Sequence, residues 1–181
     1  TKWGKLRHEL GHPQPFNLKF IGVGNEQWEP QYIERYKVFE KALLSKYPQI
    51  KIVSGSGPSP DGEYFNYAWK ELKQLSPALI DEHYYKPPSW FFSNASRYDS
   101  YERTGPKVFA GEYAAHSREN NEAESRNNWE SALAEAAFMT GLERNADVVQ
   151  MSSYAPLFAH VDAWQWRPDL IWFDNLNSVA T

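Results

Sequence analysis

A chain of 181 residues is long enough to build one domain with a sizeable core. Its 19 Lys and Arg stand against 23 Asp and Glu, a formal net charge of −4 without a basic stripe, which argues against nucleic acid as a partner. Cysteine is absent, so disulfides and thiol chemistry are excluded, and no apolar run has the length to cross a bilayer.

In chain order, residues 1–17 carry Gly4, Gly11, Pro13 and Pro15 and read as loop, with a helical turn around residues 5–10. Residues 18–23 are the first predicted strand, a short apolar run that ends abruptly in Gly24-Asn25-Glu26. An amphipathic helix follows over residues 30–47, with Ile33, Tyr36, Phe39, Leu43 and Leu44 on one face. Residues 50–54 form the second strand, and residues 55–62 a glycine and proline loop. The second helix covers residues 64–75 with Phe65, Ala68, Trp69 and Leu72 inward, and a short third strand at Leu79 and Ile80 leads into Asp81-Glu82-His83-Tyr84-Tyr85. A less regular helical segment spans residues 90–103, and residues 108–110 are the fourth strand, running into Gly111-Glu112-Tyr113. Residues 127–142 read as the clearest helix, with Trp129, Leu133, Ala136, Ala137 and Thr140 at helical spacing. Residues 147–151 are a fifth strand, and residues 152–174 an aromatic loop.

Strand and helix alternate without a hairpin signal, which predicts an α/β fold with a parallel sheet. A βα period of about 29 residues matches an eight-unit barrel of roughly 250 residues. A doubly wound open sheet fits the alternation too. The barrel is favoured because no Gly-rich phosphate fingerprint follows any strand and polar residues cluster after several strands. Five strands are too few to close a barrel, so a segment of a larger protein is expected.

Glu26 and Glu112 both stand at strand ends among glycines and aromatics, and a barrel would bring them to one mouth. A carboxylate pair of this kind suits glycosyl transfer to water. The aromatic content of 16%, much of it beside polar residues, suits sugar rings, which stack through their C–H faces. Each aromatic taken singly can equally be a core anchor. The five histidines are scattered without metal-ligand spacing, so no metal or other cofactor is expected, and Ser54-Gly55-Ser56-Gly57 lacks the context of a nucleophile elbow.

Gly24-Asn25-Glu26 and Gly111-Glu112-Tyr113 resemble the acid/base and nucleophile motifs of the retaining (β/α)8-barrel glycosidases. Longer stretches are more specific. Lys5-Leu6-Arg7, Phe16-Asn17-Leu18-Lys19-Phe20-Ile21-Gly22-Val23-Gly24-Asn25-Glu26-Gln27-Trp28 and Trp166-Arg167-Pro168-Asp169-Leu170-Ile171-Trp172-Phe173-Asp174 resemble glycoside hydrolase family 51, the α-L-arabinofuranosidases. The resemblance implies a partial (β/α)8 TIM barrel in which the five strands correspond to strands 4 to 8. Residues 1–17 would be loop, residues 18–160 βα units, and residues 161–181 a loop leading toward a β-sandwich outside this chain.

The resemblance also implies roles. Glu26 would be the general acid/base and Glu112 the nucleophile. Asn25 would bind the sugar 2-hydroxyl, Trp28 would line the sugar or leaving-group side, Tyr85 would hold the nucleophile, and His83 would stand near the acid/base. The position four residues after Glu112, where the family often carries Trp, is His116. The expected substrate is an arabinose-containing carbohydrate such as arabinan or arabinoxylan. The remaining barrel strands and the β-sandwich would complete the full-length protein, which is expected to be a homo-oligomer. The alternatives are another retaining barrel glycosidase, of xylosidase, glucanase or glucuronidase type, and an inactive carbohydrate-binding remnant. No leader is visible at the start, and the sequence assigns no compartment.

Overall fold

A computed structural model describes residues 1–75, 77–117 and 126–181. Five strands, β1 (Phe20–Val23), β2 (Lys51–Gly55), β3 (Leu79–Lys86), β4 (Lys107–Ala115) and β5 (Val149–Ser152), form one sheet in sequential order. Each pair is parallel. The crossovers carry α2 (Glu29–Lys46) between β1 and β2, α3 (Glu63–Leu75) between β2 and β3, α4 (Pro88–Ser93) with a short 3-10 turn (Arg97–Ser100) between β3 and β4, and α5 (Trp129–Arg144) between β4 and β5. Sequential parallel strands joined by helices are an arc of a (β/α)8 barrel, as the βα period predicts.

The helices cover one face of the arc in two clusters. Tyr32, Ile33 and Tyr36 of α2 and Ala68 and Leu72 of α3 pack on Val23, Ile52 and Ile80. Phe91 of α4 and Ala134, Phe138 and Leu142 of α5 pack on Tyr84, Val108, Ala110 and Tyr113. Between these clusters Glu82 is fully buried. It accepts hydrogen bonds from Trp69 Nε1, Tyr84, Tyr98 and Tyr101 and an ion pair from Arg97 at 3.3 Å. A buried carboxylate is tolerated only when its lone pairs are matched in this way.

Five expectations are corrected. The helical turn expected around residues 5–10 is a longer helix that starts earlier, α1 (Lys2–Glu9), because the Thr1 hydroxyl accepts the Gly4 N–H at 3.0 Å and caps it, and Lys5 and Glu9 pair one turn apart. Residues 152–174 and 161–181 are not all loop. They hold β6 (Phe158–His160), β7 (Ile171–Phe173) and β8 (Ser178–Ala180), a separate small sheet in which β7 and β8 run antiparallel. Three-residue strands are too short for a periodic signal. The turn between β7 and β8 is instead built by the Asp174 carboxylate, which accepts the N–H groups of Leu176 and Asn177.

The face of α5 is also rotated from the expected one. Ser131, Ala134, Phe138, Gly141 and Leu142 are inward, whereas Trp129 and Leu133 are exposed. Gly141 decides this, since any Cβ there would collide with the Ala95 carbonyl, so the small-residue stripe faces α4. On α2, likewise, Phe39 and Leu44 are exposed and Tyr32 is inward. Finally, β3 and β4 are much longer than predicted, so Glu112 sits inside a strand rather than just past its end. Asp81 and His83 of β3 and Glu112 of β4 interrupt the apolar pattern and face one another, whereas Glu82 turns to the helix side.

Candidate active site

On β3 side chains alternate between faces. Asp81, His83 and Tyr85 share one face, while Glu82 and Tyr84 turn toward the helices. On β4 the same alternation would place Glu112 on the helix side, opposite Tyr84. A register shift prevents this. Glu82 pairs with Ala110 but His83 pairs with Glu112, leaving Gly111 as an extra residue. A one-residue bulge moves everything after it to the other face. Val108 and Ala110 before it, and Tyr113 and Ala115 after it, therefore all reach the helix-side core, while Glu112 points at His83.

Glu26 arrives from the other direction. The loop after β1 turns through Gly24 at φ +86° and Glu26 at φ +53°. A non-glycine residue in that left-handed region costs about 1–3 kcal/mol and persists only where its surroundings hold it. Gln27 accepts the Asn25 backbone N–H. Tyr32, buried on α2, donates to the Val23 carbonyl at 2.7 Å and accepts the Gly55 N–H at 2.9 Å, pinning the loop to both neighbouring strands.

These devices converge on His83, which is 2% exposed. Its Nδ1 lies 2.8 Å from Oε1 of Glu26 and 3.6 Å from Oε2 of Glu112, and its Nε2 lies 3.2 Å from Oδ2 of Asp81. Burial works against the charged ring. The hydrogen bonds to Asp81 and Glu26 and the charges of Asp81 and Glu112 outweigh it and raise the pKa to about 9. Tyr85 donates to Oε2 of Glu112 at 2.7 Å. Burial first, then the bond to Glu112, pushes the Tyr85 phenol well above its usual range and keeps it a donor. His116 packs against Tyr85 with ring centroids 5.3 Å apart.

Of the residues singled out in the sequence, Glu26, His83, Tyr85, Glu112 and His116 come together. Asn25 is exposed in the turn beside Glu26, and Trp28 is half exposed and packs on Tyr64 at 6.3 Å. Sequence reasoning missed Asp81 and Tyr32. It also missed Glu135 on α5, whose carboxylate accepts the Ala115 N–H at 2.7 Å and braces β4 beyond Glu112. Strand alternation from His83 would have found Asp81. The others have no local signal.

The scattered histidines do not prevent a ligand-like cluster, because one of them joins two distant glutamates. Among the described residues, Glu26, His83 and Glu112 bring one donor atom each within 4.8 Å of one another. Both nitrogens of His83, however, face carboxylates. Nδ1 is engaged by Glu26 and Nε2 by Asp81, so the protonated ring bridges the two carboxylates.

Known proteins share both the sequence and the fold. Residues 1–103 match the family model described as alpha-L-arabinofuranosidase 1 domain, and residues 111–181 match the alpha-L-arabinofuranosidase C-terminal domain. The chain belongs to the family 51 α-L-arabinofuranosidases. Among curated family members it is 52% identical to an extracellular exo-alpha-L-arabinofuranosidase of Streptomyces chartreusis, over 97% of this chain and 20% of that protein. It is 38% identical to alpha-L-arabinofuranosidase 2 of Arabidopsis thaliana, over 100% of this chain and 25% of that protein. The chain thus spans a quarter or less of the length of these two relatives. A family 51 enzyme solved with arabinose bound superposes with a TM-score of 0.82 at 37% identity, covering 99% of this chain and 29% of that one. An arabinofuranosidase from Thermotoga maritima, at 19% identity and a TM-score of 0.71, shares the fold over 99% of this chain and 41% of its own.

Proposed function

We propose that this chain carries the catalytic carboxylates of a retaining α-L-arabinofuranosidase, with Glu112 as nucleophile and Glu26 as acid/base. The observation that supports the reading is their separation. The nearest oxygens of the two carboxylates lie within 4.8 Å. Retaining glycosidases hold the pair about 5–5.5 Å apart, whereas inverting ones need about 6.5–9.5 Å to seat a water.

In the first step a Glu112 oxygen attacks the anomeric carbon while Glu26 gives its proton to the leaving oxygen. In the second, Glu26 takes a proton from water, which displaces Glu112 and restores the starting configuration. Tyr85 occupies Oε2 of Glu112 and so orients Oε1 for attack. Asn25 meets the sugar 2-hydroxyl, Trp28 lines the pocket beside it, and His116 extends the Tyr85 surface toward the leaving group. The substrate is a terminal α-L-arabinofuranosyl group. The relatives' names support this sugar, and the exo action named for the Streptomyces protein supports attack at chain ends.

The test is chemical rescue in the full-length protein. Glu112→Gly is expected to lose turnover on an aryl α-L-arabinofuranoside, and azide to restore part of it as a glycosyl azide of inverted configuration. A fully active Glu112→Gly enzyme contradicts the assignment. Relative rates on aryl xylosides and glucosides check the sugar.

A further inference from the structure

Asp81 is held in a costly place. It stands two residues before His83 on the same face of β3, and its Oδ1 is buried without a hydrogen-bond partner. It lodges over Gly111, where any Cβ would collide with the carboxylate. An unsatisfied buried carboxylate oxygen and a glycine inside a strand are both unfavourable. What offsets them is the hydrogen bond between Oδ2 and His83 Nε2, at 3.2 Å.

We propose that Asp81 is a positioning residue for the acid/base, an inference that rests on the reading of Glu26 given above. By accepting the proton on His83 Nε2, it holds the ring so that Nδ1–H stays on Oε1 of Glu26. Oε2 is then the oxygen that exchanges its proton with the leaving group and with water. The groups that face the ring are Asp81 on its own strand, Glu26 from the loop after β1 and Glu112 from β4. Tyr85 reaches Glu112 instead, and Glu82 lies on the opposite face. A neutral imidazole carries one N–H and serves one carboxylate. Serving Asp81 and Glu26 together takes the imidazolium, which the Asp81 charge favours. Without that charge the ring becomes neutral at a lower pH, and its bond to Glu26 is then no longer charge-assisted.

In the full-length protein, Asp81→Asn removes the charge at nearly constant volume. Its kcat on an aryl α-L-arabinofuranoside is expected to fall about 10- to 100-fold, part of what general acid–base catalysis contributes, with KM little changed. The alkaline limb of its kcat/KM profile should move to lower pH, which a purely structural defect would not do. In a His83→Ala background the same substitution should add almost nothing. A wild-type alkaline limb, or a loss that adds in full to His83→Ala, overturns the proposal. Asp81→Ser carries the same expectation and the same refutation if the Asn variant fails to fold. Azide rescue of Glu112→Gly, run alongside, separates the two readings. Rescue together with an unshifted Asp81→Asn limb removes only the positioning role, and absent rescue removes both.

Discussion

His83 concentrates the electrostatics of the site in one ring. In the unfolded chain it titrates near 6.5 and in the fold at about 9, so the folded state binds the proton more tightly. A raised pKa in the fold contributes stability that is fully present below about pH 6.5 and is lost as pH rises through about 9. The thermal midpoint of the wild-type protein should therefore exceed that of His83→Gln by most at the acidic end of this window. The gap should narrow toward the alkaline end, and a pH-independent gap would contradict the assignment. Tyr85→Phe removes one hydrogen bond to a carboxylate, worth about 1.5–3 kcal/mol, which corresponds to about a 10- to 150-fold loss in kcat. Steady-state kinetics should place that loss in kcat rather than KM if Glu112 is the nucleophile proposed above, because the bond then orients it instead of holding the sugar. Glu26, Glu112, His83 and Tyr85 were readable as residues. Their common focus was not, since it depends on the left-handed turn at Glu26 and on the bulge at Gly111.

At the scale of elements, small residues set how closely the layers approach. Ala is a better helix former than Gly by about 1 kcal/mol, so propensity alone predicts that Gly141→Ala stabilises α5. The Ala95 carbonyl blocks that position, and backbone yields less than a side chain would. Gly141→Ala should instead cost about 1–3 kcal/mol, as overpacking does, measured as a lower urea midpoint. Glu82→Ala is the harsher change. It leaves Arg97, which is 12% exposed, without its carboxylate among five aromatic rings. Breaking a buried pair from one side costs about 3–5 kcal/mol, and equilibrium unfolding should register a loss of that size. The rotation of α5 belongs to this scale as well. Trp129 and Leu133 have the right spacing for a core face, but periodicity cannot rank two stripes when the buried one mixes Phe138 and Leu142 with Ser131, Ala134 and Gly141.

For the whole molecule, the five-stranded arc ends in β1 and β5, each paired on one side only among the described residues. Large apolar side chains, among them Trp3, Phe16, Leu18, Phe39, Phe158 and Leu176, are exposed. Open strand edges and apolar surface favour association. Residues 1–181 produced alone should therefore elute from a sizing column as oligomers. A monodisperse monomer with one cooperative unfolding transition would refute this expectation.

The sequence by itself determined the parallel α/β arc, the order of its units, the family, and the two glutamates with their companions His83 and Tyr85. Those follow from local patterns: apolar runs, helical spacing, and residue types set beside glycine. Only the tertiary structure decided which face Glu112 takes, that Asp81 backs His83, and that residues 158–180 fold as a small sheet of their own. The physical reason is that each of these depends on a partner far away in the chain. A one-residue register shift between β3 and β4 turns Glu112 from the helix layer to the site, and no pattern within either strand records it.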